Sequence, residues 1–231
     1  MKKNHQQTKN IHLKNNLEEI YKNITVTKQP HQAVKLLAVS KTHSIKTLQK
    51  AIALGVKCFG ENKVQEAEKK APHLDKDIEL HLIGHLQSNK IKKALKIFNV
   101  IQTIDSLVLA KKINQQAKTI NKIQRIYCQI NIGNDPNKKG FSRQAIKSNI
   151  NKIITLPHLA VEGIMTILPF GLTNKKTKLL YNETKKIKDE ISKSYNITLE
   201  LSMGMSNDYK TAIKCGSTMV RIGTKLFGER K

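Results

Sequence analysis

Short apolar runs rich in Val, Ile and Leu alternate with longer amphipathic stretches along almost the whole chain. Eight of these runs have the length and composition of strands, at residues 36–40, 57–60, 79–84, 100–103, 125–132, 160–166, 198–202 and 219–222. Between them lie seven stretches with helical periodicity, at residues 45–54, 63–70, 88–97, 106–119, 142–155, 174–193 and 207–214. This alternation is typical of βα units arranged around a parallel sheet.

Eight strands with seven intervening helices favour a single (β/α)8 TIM barrel, which is an α/β fold. An open doubly wound sheet is the alternative, because periodicity does not reveal strand order. An additional amphipathic helix near residues 12–24 is expected to close the bottom or the side of the barrel. Since 231 residues hold one barrel but not a second full domain, we predict one domain over residues 1–231, with residues 1–10 as a flexible polar N-terminus.

Four serines are placed to cap predicted helices, because each stands immediately before or at the first periodic residue. They are Ser88, Ser106, Ser142 and Ser206.

The formal net charge of +25 raises nucleic acid or an anionic membrane as a partner. However, only four of the 42 basic residues are arginines, and the lysines are spread over nearly every segment. Specific nucleic-acid sites favour arginine forks and stacked aromatic rings, whereas this chain has no Trp and only 4% aromatic residues. Solvated lysines are therefore favoured over a nucleic-acid surface, and no apolar run reaches the length of a membrane span.

The cysteines and histidines of the chain show no metal or disulfide pattern. Cys58, Cys128 and Cys215 are odd in number and far apart, which argues against a disulfide framework and a C-x-x-C motif. His81 and His85 have the spacing of a zinc helix, but the required Glu is missing and the run is strand-like, so we predict no metal site. Residues 1–16 lack the apolar segment of a signal peptide. These features predict a cytoplasmic protein.

Lys41 directly follows the apolar run 36–39, at the end of the first predicted strand. Functional groups of parallel α/β folds gather at the C-terminal ends of strands. In a barrel mouth, desolvation and nearby cations lower the pKa of an ammonium group, and a neutral amine can form an imine with an aldehyde. A solvated lysine at a strand end is the alternative interpretation.

Two glycine-containing turns follow the last two predicted strands, at residues 202–206 and 223–224. They offer hydroxyls and backbone N–H groups at the usual phosphate location of such barrels. Arg221 borders the second turn, and it either pairs with a carboxylate of the barrel or faces a bound ligand. If a pyridine ring lies between Lys41 and these turns, the guanidinium would keep the ring nitrogen unprotonated and weaken the ring as an electron sink.

Several short segments together resemble one known family. They are LAVSKT at 37–42, FGEN at 59–62, VQE at 64–66, IG at 83–84, LQSNK at 86–90, TID at 103–105, SMGMS at 202–206 and GSTMVRIGT at 216–224. In order, and over about residues 37–230, they closely resemble the YggS/PROSC family of pyridoxal 5′-phosphate (PLP) homeostasis proteins. The resemblance implies a single barrel like the N-terminal domain of alanine racemase, which holds PLP as an internal aldimine.

The resemblance also implies roles for individual residues. By position, Lys41 matches the lysine that binds PLP, and Arg221 matches the arginine that faces the pyridine nitrogen. Ser202, Gly223 and Thr224 match the phosphate contacts.

Two further residues, Asn62 and Met165, match strand ends near the cofactor. Lys63 departs from the family pattern, which commonly has an aromatic residue there, and His85 stands where proline is common. Both departures lie in loops of the mouth, so they affect the expected loop shape more than the attachment of the cofactor.

The family resemblance implies a carrier that holds PLP and acts in vitamin B6 homeostasis without robust catalytic activity. The alternative is a racemase-like, PLP-dependent amino-acid enzyme. Racemases on this barrel take an opposite-face acid or base from a second domain and a partner subunit, and residues after Arg230 are too few to supply it. We therefore expect a carrier and a monomer, with client PLP enzymes as candidate partners. A PLP-independent nucleic-acid binder is supported only by the net charge.

Overall fold

The computed structural model describes the backbone of residues 2–229 and the side chains of residues 11–229. Its strands are β1 (Lys35–Val39), β2 (Cys58–Glu61), β3 (Glu79–Leu82), β4 (Val100–Ile104), β5 (Gln124–Ile130), β6 (Leu159–Thr166), β7 (Glu200–Ser202) and β8 (Met219–Ile222). Its helices are α1 (Lys2–Thr27), α2 (Ile45–Ala53), α3 (Val64–Lys70), α4 (Ile91–Ile97), α5 (Leu107–Lys118), α6 (Arg143–Ile154), α7 (Asn174–Tyr195), α8 (Tyr209–Lys214) and α9 (Thr224–Phe227). The side chains of residues 1–10 lie outside the described residues. The flexible polar N-terminus expected there therefore stays a prediction.

The eight strands form a closed barrel in which neighbours in sequence pair in parallel and β8 pairs with β1. The predicted (β/α)8 barrel is therefore confirmed, and the open doubly wound sheet is ruled out. Every strand was predicted within about two residues of its bounds. Because all strands are parallel, their C-terminal ends meet at one mouth, where the candidate residues follow the strands.

Two of the four predicted serine caps are confirmed, since Ser106 accepts from the N–H of Leu109 and Ser142 from that of Ala145. The other two predictions are wrong. Ser88 opens a 3-10 turn (Ser88–Lys90) that precedes α4, so the helix begins three residues later than predicted. Ser206 lies in the turn before α8, which starts only at Tyr209.

The apolar core has two layers. A large outer layer fills the space between the strands and the surrounding helices. A smaller inner layer lies inside the barrel and consists of Leu37, Val39, Cys58, Ile83, Val100, Tyr127, Met165 and Met219. Alternate residues of each strand therefore face inward, and on β1 this set continues from Leu37 and Val39 toward Lys41.

The predicted N-terminal helix exists as α1 and packs on the side of the barrel against α8 and α9. Its buried face is a stripe at helical spacing, formed by Leu13, Leu17, Ile20 and Ile24. The side chain of Asn16 donates to the carbonyl of Leu226 at 3.1 Å. Within the described part of the chain, no helix combines the length and the apolar character needed to cross a membrane.

The N-terminal end of the barrel is closed by a charged floor, which we define as Lys35, Glu79, Arg125, Glu162 and Glu200. The Arg125 guanidinium forms ion pairs with Glu79 and with Glu162, the latter at 2.5 Å. Lys35 pairs with Glu200 at 2.6 Å.

The sulfur of Cys58 and the imidazole of His81 also lie beside the floor carboxylate of Glu79, their ligand atoms all within 4.8 Å of one another. The Arg125 guanidinium already pairs with that carboxylate, so the charges of the floor are balanced by ion pairs within the protein.

Replacing Ile20 by Ala should destabilise the protein by about 3 kcal/mol, because the side chain is fully buried under α1 and its loss leaves a cavity. Urea unfolding of the two proteins measures the difference. Ile11→Ala is the matched control on the same helix, since Ile11 is 59% exposed and its loss should change stability by less than about 0.5 kcal/mol. Equal effects of the two variants would contradict the packing of α1.

Glu79 should make the free energy of unfolding depend on pH in the acid range. The His81 imidazole and the Arg125 guanidinium lower the pKa of Glu79 from 4.5 to about 2. Since the folded pKa is the lower one, the stabilisation is complete above about pH 4.5 and is lost as the pH falls toward 2. Urea unfolding at several pH values should show a gap between the natural protein and Glu79→Gln, on the order of 2 kcal/mol at pH 7 and closing in this window. A gap independent of pH would contradict this assignment.

Candidate functional site

Lys41 lies in a tight turn that leaves β1 at the mouth of the barrel. The N–H of His43 donates to the carbonyl of Ser40 at 3.1 Å, which makes Lys41 and Thr42 the two central residues of a β-turn. Thr42 has a φ of 68°, in the left-handed region that non-glycine residues seldom adopt. Contacts from neighbouring elements must therefore hold this turn in place.

Those contacts come from β2 and α3, and each of them reaches a residue next to Lys41. The Ser40 hydroxyl donates to Glu61 Oε1 at 2.6 Å, and the Thr42 N–H donates to Glu66 Oε1 at 2.5 Å. Lys70 Nζ donates to the Ser40 carbonyl at 2.8 Å and to both carboxylates at 2.7 Å. We call Glu61, Glu66 and Lys70 the lysine clamp, because it fixes the backbone on both sides of Lys41.

Glu61 and Lys70 of the clamp are buried, so their charges depend on one another. Glu61 is fully buried and Lys70 is 6% exposed. Burial raises the pKa of the Glu61 carboxyl group, against the opposing effect of its bonds from Lys70 and Ser40. The ammonium group of Lys70 gives three hydrogen bonds, which is its full capacity. Removing the charge of Lys70 would leave Glu61 buried without its counterion.

The turns after β7 and β8 lie against each other at the mouth. The Arg221 N–H donates to the Gly204 carbonyl at 3.0 Å, and the Ser206 hydroxyl accepts from the Lys225 N–H at 3.3 Å. Gly204 has a φ of +95°, and a Cβ there would lie 2.6 Å from Ala212. Only glycine satisfies both conditions without strain.

The backbone N–H groups of Ser206, Asn207, Gly223 and Thr224 make no hydrogen bond to any described residue. They lie in the two turns just described, which gives the pair of turns several donors for an anion. Gly223 also approaches β1 closely, since a Cβ there would lie 3.2 Å from the Val39 carbonyl oxygen. The second turn therefore lies beside the strand that leads to Lys41.

Arg221 is a buried cation in the upper part of the barrel interior, 3% exposed. Its Nη1 donates to the Ser202 hydroxyl at 2.8 Å and its Nη2 to the Thr166 carbonyl at 2.7 Å, and both of these partners are uncharged. No described carboxylate forms an ion pair with it, and burial lowers the pKa of its guanidinium. A buried charge without a counterion is costly, so the site favours an anionic ligand.

The residues predicted from the sequence divide between the mouth and the interior. Lys41, Gly223 and Thr224 lie in turns of the mouth. Asn62 follows β2 there, and its carbonyl oxygen is so close to Gly84 that a Cβ on that residue would lie 2.1 Å away.

Ser202 and Met165 are fully buried in the barrel on paired strands, below the mouth. The Ser202 hydroxyl contacts Arg221 and Gln102 inside the barrel. The serine whose hydroxyl lies between the turns after β7 and β8 is Ser206.

Sequence reasoning missed Gln102 and the lysine clamp as parts of the site. Gln102 is fully buried inside the barrel, where it accepts from the Ser202 hydroxyl at 2.7 Å. A polar residue in the middle of an apolar strand was the available signal for it. For the clamp, the signal was the i,i+4 spacing of Glu66 and Lys70 beside a buried strand.

Comparison with known proteins agrees with this barrel. The family model of the alanine racemase N-terminal domain matches residues 15–231. The chain is 39% identical to the pyridoxal phosphate homeostasis protein of Synechocystis sp. over 214 residues, which cover 91% of this chain and 97% of that protein. The chain belongs to the pyridoxal phosphate homeostasis protein family. A second member, from Aquifex aeolicus, is 37% identical over 93% of this chain and 95% of its own.

Solved structures show the same architecture. The family member PipY of Synechococcus elongatus, solved with PLP bound, superposes with a TM-score of 0.85 at 33% identity, over 94% of this chain and all of PipY. PipY without PLP gives 0.87 at 34% identity with the same coverage. Alanine racemase of Clostridium difficile gives 0.78 at 18% identity, over 95% of this chain but 57% of the racemase, and so shares the fold.

Replacing Lys70 by Met should destabilise the protein by about 3 kcal/mol, because it leaves Glu61 buried without its cation. Lys69→Met is the matched control, since Lys69 is exposed and adjacent. The double variant Glu61→Gln/Lys70→Met should recover part of the loss, because it removes both charges. Chemical denaturation measures all three, and a Lys70→Met protein as stable as Lys69→Met would contradict the clamp.

Proposed function

We propose that this chain binds PLP in the mouth of its barrel, with Lys41 as the residue that attaches to the aldehyde, and acts in intracellular PLP homeostasis. The observation that carries this proposal is the placement of the Lys41 turn beside Arg221 and the turn of Gly223, on the paired strands β1 and β8. The PLP-bound structure of PipY, a relative of the same fold that superposes over its whole length, supports it.

The residues present fit PLP in charge and in shape. Arg221 is a buried cation whose protein partners are neutral, and PLP is an anion through its phosphate. The turns of Ser206 and Gly223 offer unpaired N–H groups, which suit phosphate oxygens. Asn62 and Met165 would border the ring from β2 and β6. Of the phosphate contacts expected from the sequence, Gly223 and Thr224 would act directly, and Ser202 would act through Arg221.

The chemistry that PLP supplies is an aldehyde, which condenses with the Lys41 amine to a C=N bond and releases one water. The lysine clamp keeps the backbone of Lys41 fixed during loading and release. Arg221 can only donate, so its guanidinium would leave a facing ring nitrogen unprotonated. A ring in that state withdraws electrons weakly, which suits storage better than amino-acid chemistry.

We infer a carrier without robust catalysis, because the relatives are named as homeostasis proteins. A racemase-like amino-acid enzyme is the alternative, favoured by the match to the alanine racemase domain. Transfer to client PLP enzymes, a monomeric state and a cytoplasmic location complete the proposal. The three cysteines of the chain are buried and form no disulfide, which suits a reducing compartment.

Lys41→Ala should abolish covalent PLP binding. The natural protein, incubated with PLP, should show an imine absorbance band that borohydride fixes to Lys41, as read by peptide mass spectrometry. Lys46→Ala is the matched control, an exposed lysine in the next helix that should leave the band unchanged. An unchanged band in Lys41→Ala would overturn the assignment of the lysine. Racemisation of L-alanine above background by the loaded protein, followed by chiral chromatography, would favour the enzyme instead.

A further inference from the structure

A line of buried polar side chains crosses the barrel interior from Arg221 to the charged floor. Arg221 Nη1 lies 2.8 Å from Ser202 Oγ, and Ser202 Oγ lies 2.7 Å from Gln102 Oε1. Gln102 Nε2 lies 2.7 Å from His81 Nδ1, and His81 Nε2 lies 3.2 Å from Glu79 Oε2. We call these five residues the interior chain. They come from four strands, β3, β4, β7 and β8, so the chain spans the barrel both across and along its axis.

The direction of every hydrogen bond in the interior chain is fixed from its two ends. Arg221 can only donate, so the Ser202 hydroxyl accepts from it and turns its own hydrogen to Gln102 Oε1. The amide nitrogen of Gln102 then faces His81 and donates to Nδ1, which places the imidazole proton on Nε2.

That N–H lies 3.2 Å from the Glu79 carboxylate, in a polar contact less well aligned than a hydrogen bond. Burial lowers the pKa of His81, in keeping with a neutral ring.

This directionality matters for Arg221 because the guanidinium has no carboxylate of its own. Its orientation depends on two neutral acceptors, the Ser202 hydroxyl and the Thr166 carbonyl. The carbonyl is held by the backbone of β6, but a hydroxyl can rotate. If Gln102 no longer accepted the Ser202 hydrogen, that hydrogen would be free to turn away from Gln102, and the lone pair facing Arg221 would no longer be fixed.

We propose that Gln102 and His81 are positioning residues for Arg221, which hold its guanidinium in the orientation that faces the bound PLP ring. This inference rests on the proposed function. The two residues would not touch the cofactor and would act only through Ser202. Their contribution is orientational, so it should affect the affinity and the absorbance of bound PLP more than the stability of the fold.

The test compares PLP binding by Gln102→Met and the natural protein. Methionine keeps the length and burial of the side chain but removes its hydrogen bonds with Ser202, with His81 and with the sulfur of Met219. We expect the PLP dissociation constant to rise about tenfold, the value of one well-placed hydrogen bond, and the imine absorbance maximum to shift. Gln102→Glu keeps an oxygen that accepts from Ser202 but no longer donates to His81, so it should bind PLP more tightly than Gln102→Met and less tightly than the natural protein.

Tyr127→Phe is the matched control. Tyr127 is buried inside the same barrel, and its hydroxyl bonds to Glu200 on the floor, outside the interior chain. This variant should leave the dissociation constant and the absorbance maximum unchanged. His81→Leu combined with Gln102→Met should bind PLP no worse than Gln102→Met alone, because both changes break the same chain.

The outcomes separate the inference from the function on which it rests. An imine band in the natural protein, with unchanged affinity and spectrum in Gln102→Met, overturns the inference and leaves the PLP function intact. Absence of the band in the natural protein overturns both. A crystal structure of Gln102→Met without PLP provides an independent arm: we expect Arg221 Nη1 to leave Ser202 Oγ, and an unmoved guanidinium contradicts the positioning role.

Discussion

The pairing of β8 with β1 closes the barrel, and the arrangement of the site follows from it. The register sets Arg221 opposite Leu37. Two residues further along each strand, Gly223 closely approaches Val39, and the chain then turns at Lys41. The turn of Lys41 thus lies at the same end of the barrel as Arg221 and the turn of Gly223, although Lys41 is 180 residues or more from both in sequence. A slip of one residue in this register would turn Arg221 out of the barrel.

The two sides of β1 support the site in different ways. Outside the barrel, the lysine clamp fixes the backbone around Lys41 with charges that need one another. Inside, Arg221 has only neutral partners and remains available for an anion. Paired charges therefore stabilise the scaffold, and the unpaired charge is placed where a ligand can compensate it.

The fold was largely predictable, because the period of the apolar residues and the strand ends are local features. The (β/α)8 architecture, the strand positions and the caps at Ser106 and Ser142 follow from them. The cap expected at Ser206 was wrong because Asp208 takes the Met205 N–H and delays α8. The site was only partly predictable. The contact of Ser202 with Gln102 joins residues 100 positions apart, and no spacing rule reaches that far.

Polar groups inside a barrel of this size need a reason, since an apolar filling is at least as stabilising. Gln102 and His81 occupy inward positions that Val, Ile or Leu fill in most barrels. Fully bonded polar groups specify one arrangement where apolar side chains of similar volume would allow several. A buried arginine has many rotamers, and neutral acceptors alone select among them weakly. The directional chain from Glu79 supplies that selection. The carboxylate of Glu79 forms no ion pair with Arg221, so the guanidinium remains available to an anionic ligand.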